Sequence, residues 1–239
     1  MSGSGATVID WAMRTSVGER VAQAASNRTL LDWLSIVFFS GFVLVISAYA
    51  LVRPDYNWDM VAYIATALED RHGDPAALHA ETWSLISEGA REAQLYHLQY
   101  GNPYNRHQWE NPADFQSQLS MYRVKVGYIW LLRALEPVTG LVNASLILAI
   151  LPAFGLGAFF LYWLGRDGAI QGAVLLASVL ALADYTHMTT AVTPDMLVAL
   201  VSLAAIYFLA KGKDITGYAL LFASVLFRPD NVVLVFAVL

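Results

Sequence analysis

The sequence contains no cysteine and few charged residues, and both shortages limit the classes of protein to which the chain can belong. Without cysteine there can be no disulfide and no thiolate metal site, so the sequence does not indicate a redox compartment. Charged residues make up 14% of the 239 residues and hydrophobic residues 57%, whereas an ordinary soluble domain is about 25% charged. The net charge of −5 gives no reason to expect a nucleic-acid partner. This composition predicts an integral protein of the lipid bilayer.

Apolar runs predict an all-α polytopic membrane protein with about five transmembrane helices. The 20 residues from Trp33 to Val52 carry no charge, and a helix of that length crosses the roughly 30 Å hydrocarbon core. Four further apolar runs cover residues 137–165, 168–183, 196–210 and 215–239. The second and third of these four are short, and they cross only if the polar residues that flank them lie at headgroup depth.

A large polar segment separates the first apolar run from the others and divides the chain into four parts. This segment is expected to be an external loop with interfacial amphipathic helices. The chain stops within apolar sequence, so we expect it to be a truncated module. The four parts are a cytoplasmic amphipathic N-terminus (1–30), the first transmembrane helix (31–52), the external loop (53–140) and the other transmembrane helices (141–239).

Within the external loop, apolar spacing predicts three helices, over residues 60–68, 76–98 and 119–133. The sequence His-Gly-Asp-Pro at residues 72–75 predicts a break between the first two. Asn and Pro are frequent over residues 96–115, which predicts an irregular loop there.

The positions of Lys and Arg orient the chain with its N-terminus in the cytoplasm. In that orientation Arg166, Lys211 and Lys213 fall in short cytoplasmic loops, and residues 184–195 fall outside and contain no Lys or Arg. An excess of basic residues in short cytoplasmic loops is the usual pattern of membrane proteins.

The same orientation brings acidic residues to the outer face. Asp59 follows the first crossing, Asp184 ends the third and Asp195 begins the fourth. Arg228, with Asp230 two residues later, stands about 20 Å up the fifth helix, near the outer interface. An arginine at that depth is costly unless it faces a cavity or a partner, so we expect it to have a functional role.

A carboxylate beside a cation at a membrane surface suits sugar transfer from a polyprenyl phosphate, whose phosphate lies at the headgroups. A partly buried carboxylate can take the proton from an acceptor hydroxyl as that hydroxyl attacks the anomeric carbon. A cation stabilises the charge that develops on the departing lipid phosphate. We therefore predict Asp59 as the catalytic base and Arg228 as the donor-phosphate ligand.

The order of these features resembles the N-terminal module of the GT-C superfamily of integral-membrane glycosyltransferases, which includes protein O-mannosyltransferases and aminoarabinose transferases. The resemblance rests on Asn57-Trp58-Asp59, Tyr122-Arg-Val-Lys-Val-Gly-Tyr-Ile-Trp-Leu-Leu132, Leu161-Tyr-Trp-Leu-Gly-Arg166, Thr193-Pro194-Asp195 and Arg228-Pro229-Asp230. It implies a catalytic aspartate at Asp59, a second acidic position at Asp195 and a polyprenyl-phosphate sugar donor. It also implies a location in the bacterial cytoplasmic membrane. Many members carry paired acids at the first motif, which this chain lacks.

Each candidate residue also has a structural interpretation. These interpretations are a helix cap for Asn57 or Asp59, a first-turn acid beside Pro194 for Asp195, a helix end for Asp184, and a packing ion pair for Arg228 with Asp230. The aromatic part of the external loop adds His97 and Tyr100, which together with Asp184 and Asp230 could line the site. The five histidines show no metal-ligand spacing, so we predict no metal site, while loop acids leave a divalent cation open.

Two other classes of protein remain open at the level of sequence. A transporter or channel component would carry charges at mid-membrane depth on several helices and paired broken helices. A non-catalytic assembly partner would not bring Asp59, Asp195 and Arg228 together.

Overall fold

A computed structural model of the chain describes residues 27–238, and all of the regular structure in that range is helical. The predicted all-α fold class is therefore confirmed. Most of the predicted cytoplasmic N-terminal segment (1–30) lies outside the described residues. The α-helices are α1 (Arg28–Val52), α2 (Trp58–Leu68), α3 (Pro75–Gly89), α4 (Glu92–Tyr100), α5 (Pro103–Glu110), α6 (Pro112–Gln118), α7 (Ser120–Arg123), α8 (Val126–Thr139), α9 (Leu141–Arg166), α10 (Ala173–Leu182), α11 (Tyr185–Thr190), α12 (Asp195–Ala210), α13 (Asp214–Phe227) and α14 (Val232–Val238). Short 3₁₀ turns cover Glu69–Arg71, Ile170–Gly172 and Pro229–Asn231.

The irregular loop predicted over residues 96–115 is wrong, because most of it is helical. The side chain of Asn102 accepts a hydrogen bond from a backbone amide three residues later, at 2.8 Å, and Pro103 occupies the first turn of α5. An Asn-Pro pair suits a turn, but it also suits a helix start, because Asn caps the free amides and Pro needs no hydrogen-bond partner there. The predicted break at residues 72–75 is confirmed, since Asp74 caps α3 in the same way.

Two helices, α1 and α9, are long and apolar enough to cross a membrane, as judged by length and composition. Shorter apolar helical segments cover Ile170–Leu182, Asp195–Ala210, Asp214–Phe227 and Pro229–Val238. Much of the apolar surface of α1 has no protein neighbour, since Val37, Val45 and Val52 are 64%, 70% and 75% exposed. Contiguous apolar surface of this kind needs an apolar surrounding or a partner.

Two polar contacts show which helix termini lie together at one end of the apolar helices. At one end Lys211 Nζ donates to Asp167 Oδ1 at 2.6 Å, and Arg28 Nη2 donates to the carbonyl oxygen of Gly168 at 3.0 Å. This end contains the start of α1 and the ends of α9 and α12. Helix α1 therefore runs opposite to α9 and α12.

Buried side chains form two clusters. We call helices α2–α8 the cap. Its cluster includes the fully buried Tyr63 and Tyr128 and extends onto the first turns of α9. The second cluster joins α1, α9, α10, α11 and α12 around Phe39 and Tyr185. The cap thus packs at one end of the apolar helices.

The apolar run over 215–239, expected to form one transmembrane helix, is broken at Arg228. Helix α13 ends at Phe227, and Arg228 has an extended backbone before the 3₁₀ turn Pro229–Asn231. Pro229 causes this break, because a proline disfavours helical geometry in the residue before it and has no amide to donate. The break leaves the Arg228 side chain at the end of a helix.

His79 of α3 lies inside an aromatic part of the cap. Its ring centroid is 5.3 Å from that of Trp109 and 5.1 Å from that of Phe115, and the residue is 9% exposed. Its Nε2 atom has no hydrogen-bond partner among the described residues. Burial lowers the pKa of His79 below its ordinary value of 6.5, and the nearby backbone of Gln108 and Trp109 acts in the opposite direction. The folded cap therefore favours the neutral imidazole.

We expect acidic pH to destabilise the cap through His79. Its folded pKa lies below its unfolded pKa, so its neutral form stabilises the fold fully above about pH 6.5 and loses that effect as the pH falls below this value. Hydrogen exchange in α3 and α5 should therefore accelerate from pH 7.5 to pH 5, after correction for the intrinsic rate. In His79→Leu the acceleration that His79 causes should disappear. If exchange accelerates equally in this variant, the pH dependence comes from other groups.

Candidate functional site

Asp59 lies in the first turn of α2, and its carboxylate is not used as the helix cap. Asn57 supplies the cap, because its Oδ1 accepts a hydrogen bond from the Met60 amide at 3.0 Å. The Tyr122 hydroxyl donates to Asp59 Oδ1 at 2.8 Å. In the described part of the chain no basic side chain lies within ion-pair distance of Asp59. The carboxylate is therefore oriented by a neutral donor and is not part of an ion pair within the described residues.

Lys125, which directly precedes α8, is a half-buried cation beside this carboxylate. Its Nζ atom lies over the rings of Tyr63 and Tyr122, 4.7 and 4.9 Å from the ring centroids, and donates to the Tyr63 hydroxyl. Among residues 27–238 no carboxylate lies within ion-pair distance of Lys125. A lysine held by two aromatic rings without an acidic partner can bind an anion from outside the protein.

Charges from two parts of the fold act on this cluster. Burial lowers the pKa of Lys125, the negative charge of Asp59 raises it, and the positive charge of Arg228 lowers it. Burial raises the pKa of Tyr63 and Tyr122 well above the usual range, and the charge of Asp59 raises both further. The two hydroxyls therefore remain protonated and can act as hydrogen-bond donors.

Arg228 forms ion pairs with two carboxylates. Its guanidinium contacts Asp195, in the first turn of α12, and its Nε lies 3.0 Å from Asp230 Oδ2. The Thr193 hydroxyl donates to Asp195 Oδ2 at 2.9 Å. The ion pair with Asp230 predicted from the sequence is thus present, and Asp195 is an additional partner of Arg228.

The turn that carries Arg228 is held against α12 and α13. The Asn231 amide donates to Ser202 Oγ at 2.9 Å and also to the fully buried Ser224 Oγ. A cleft of about 480 Å³ opens at this turn. It is lined by Met188, Asp195, Val198, Ala199, Ser202, Arg228, Asp230 and Asn231.

Three contacts hold the cap and the residues just before it against the end of α11, the start of α12 and the end of α13. The backbone amide of Asp55 donates to the carbonyl of Thr190 at 2.9 Å. Val192, shortly before α12, is fully buried in the cap cluster. Gly127, two residues after Lys125, packs so closely that a Cβ there would lie 3.0 Å from the Phe227 ring. The Asp59 carboxylate, Lys125 and Arg228 therefore belong to one region, which we call the central cluster together with Tyr63, Tyr122 and Asp195.

Three residues predicted to line the site lie away from the cleft at Arg228. Asp184 is exposed between α10 and α11, where it has a left-handed backbone with φ 60°. Its position agrees with the alternative interpretation of a helix end. His97 and Tyr100 lie on the exposed surface of α4, where the Tyr100 hydroxyl accepts a hydrogen bond from Trp109 Nε1 at 2.9 Å.

Lys125 was missed by the reasoning from sequence. The helix predicted over residues 119–133 placed it within one continuous amphipathic helix. That helix is instead interrupted before Val126, where Lys125 has a non-helical backbone. The only sequence signal was the presence of tyrosines near it, and tyrosines are frequent throughout the chain.

In the part of the chain that the structure describes, no three His, Asp or Glu side chains are grouped so that they could hold a metal ion. The acids of the central cluster instead contact Tyr122 and Arg228. Searches of protein-family models, curated proteins and solved structures find no match to the chain. Its chemistry is therefore inferred from the central cluster, which combines the carboxylates of Asp59 and Asp195 with the cations of Lys125 and Arg228.

Proposed function

We propose that the chain is a polytopic glycosyltransferase module of the bacterial cytoplasmic membrane. It moves a sugar from a polyprenyl-phosphate donor to an acceptor hydroxyl at the outer face. The observation that carries this proposal is the central cluster. Asp59 offers a carboxylate, while Lys125 and Arg228 offer two cations, at one end of a set of apolar helices.

The exposed apolar surface supports the membrane part of the proposal. Besides α1, the shorter helices present large apolar side chains, such as Leu175, Leu182, Ile215 and Phe222, outward. A water-soluble protein of this size seldom exposes so much contiguous apolar surface. In the proposed orientation, the end with Arg28 and Lys211 faces the cytoplasm and the cap faces outward, as the positive-inside rule favours.

The proposed reaction is a single displacement at the anomeric carbon. The acceptor hydroxyl gives its proton to the Asp59 carboxylate as its oxygen bonds to the anomeric carbon. The bond between that carbon and the phosphate oxygen breaks, and both of its electrons leave with the polyprenyl phosphate. The sugar therefore inverts its anomeric configuration.

The leaving phosphate gains one negative charge in this step, and the central cluster contains the groups to stabilise it. Lys125 has no acidic partner among the described residues, so it can contact the phosphate directly. Arg228 is shared between Asp195 and Asp230, which fix its guanidinium in place before the donor binds. Tyr122 keeps the Asp59 carboxylate directed toward the acceptor.

The test is release of polyprenyl phosphate by the purified chain in lipid nanodiscs. Polyprenyl-phosphate glucose, mannose, galactose and arabinose would be supplied with bacterial envelope glycans as acceptors. We expect release from at least one donor, dependent on acceptor and accompanied by an inverted product linkage. Failure to bind any of the donors, or equal release by Asp59→Asn, would contradict the proposal.

A further inference from the structure

The exposed face of α4 and α5 is a second aromatic site on the cap. Tyr96 and Tyr100 lie one helical turn apart, with ring centroids separated by 5.4 Å, and are 65% and 41% exposed. Trp109 Nε1 donates to the Tyr100 hydroxyl at 2.9 Å and holds that ring in place. Two large rings of this kind normally pack inward, so their common exposure on one face calls for a ligand or an interface.

Charged side chains lie on α5, the helix that packs against α4. Arg106 Nε donates to Glu110 Oε1 at 2.7 Å. This hydrogen bond raises the pKa of Arg106, and the nearby hydroxyls of Tyr100 and Tyr96 raise it further. The exposed ion pair of Arg106 and Glu110 therefore belongs to the same helix as Trp109, which donates to the Tyr100 hydroxyl. We call Tyr96, Tyr100, Arg106 and Glu110 the aromatic platform.

The composition of α5 distinguishes the platform from a membrane-facing aromatic belt. This helix contains no Ala, Val, Leu, Ile or Met. Tyrosines at a membrane interface normally lie next to an apolar band, whereas here the neighbouring helix α5 carries the exposed ion pair of Arg106 and Glu110. This composition favours an aqueous surrounding for the platform.

The same helix connects the platform to the central cluster. Tyr104 of α5 donates its hydroxyl hydrogen to Gln118 Oε1 at 2.5 Å, and its ring meets that of Trp58 edge-on at 5.7 Å. Burial raises the pKa of Tyr104, and the nearby charge of Asp59 raises it further. A chain-like ligand on the platform can thus extend along α5 toward the proposed catalytic base.

We propose that the aromatic platform binds the acceptor, and that the acceptor is an uncharged oligosaccharide chain. Sugar rings present flat C–H faces that stack on aromatic rings, and their hydroxyls pair with planar groups such as guanidinium and carboxylate. Because the platform carries one charge of each sign, it favours a neutral glycan over an anionic lipid or a charged peptide. This inference rests on the proposed function, since it names the acceptor of that site.

The test measures binding of mannohexaose, maltohexaose, xylohexaose and arabinohexaose to the chain in nanodiscs by calorimetry. We expect at least one to bind, and Tyr96→Ala with Tyr100→Ala to weaken binding by about tenfold or more through the loss of two ring contacts. Replacing both by Phe keeps the rings, so binding should stay within about threefold. Tyr218→Ala removes an exposed tyrosine of α13 and is the matched control.

Binding of polyprenyl monophosphate distinguishes a failure of the platform inference from a failure of the proposed function. If the chain binds this lipid but none of the oligosaccharides, or if the double Ala variant binds them as the wild type does, the platform inference is overturned and the proposed function stands. If the double Ala variant instead loses binding to vesicles of anionic phospholipid, the platform is a membrane contact. If the wild type does not bind the lipid monophosphate, the proposed function is overturned.

Discussion

Asp59→Asn is expected to lower the rate of sugar transfer by about 10²–10⁴-fold, the usual contribution of a positioned base. The amide keeps the size of the side chain and can still accept the hydrogen bond from Tyr122, but it cannot take a proton. Binding of the donor lipid should change by less than about threefold, because Asp59 does not contact the phosphate in the proposed mechanism. The measurement is single-turnover release of polyprenyl phosphate together with donor binding.

Asp55→Asn is the matched control for this substitution. Asp55 is exposed four residues earlier, and its contact with Thr190 uses only the backbone amide. Its variant should retain transfer within about threefold. If Asp55→Asn and Asp59→Asn lose activity equally, Asp59 is not the base and the loss reflects general damage to this segment.

Lys125→Ala is expected to weaken binding of polyprenyl monophosphate by about 10–100-fold. Hydrogen bonds to charged groups contribute about 1.5–3 kcal/mol, and in the described structure no carboxylate lies within ion-pair distance of Lys125. Arg228→Ala should weaken binding at least as much, because it also leaves Asp195 and Asp230 unpaired next to the phosphate. Both affinities are measurable by titration in nanodiscs.

Lys213→Ala provides the control for a general loss of positive charge. Lys213 precedes α13, at the opposite end from Arg228, where it lies over the Phe208 ring at 5.6 Å. Its removal should leave the affinity unchanged within about twofold. Equal affinities of the wild type and Lys125→Ala would remove Lys125 from the donor site.

Several parts of this arrangement could be predicted from the sequence. Uninterrupted apolar runs predicted α1 and α9, because only a helix satisfies its own backbone over such a stretch. Counting apolar runs placed Asp195 and Arg228 on the same side, and the structure joins them in an ion pair. These predictions depend on the length of the apolar runs and on their alternation with polar segments, and both can be read from the sequence.

Other parts depend on competition between local and tertiary effects. Asn102 and Pro103 suit a turn as well as a helix start, and packing against the rest of the cap decides between them. Lys125 could not be assigned from periodicity, because the apolar spacing continues across the interruption before α8. The break at Arg228 could have been predicted from Pro229, but the apolar residues on both sides of it led to the prediction of one continuous helix.

The most direct test of the central cluster compares polyprenyl monophosphate with polyprenol, which has the same tail and no phosphate. Both would be titrated into nanodiscs that contain the wild type or a variant with Lys125→Ala and Arg228→Ala combined. We predict that the wild type binds the phosphate form at least about 100-fold more tightly, and that the double variant binds both lipids equally weakly. If the double variant still prefers the phosphate form as strongly as the wild type does, the donor phosphate binds elsewhere and the account is wrong.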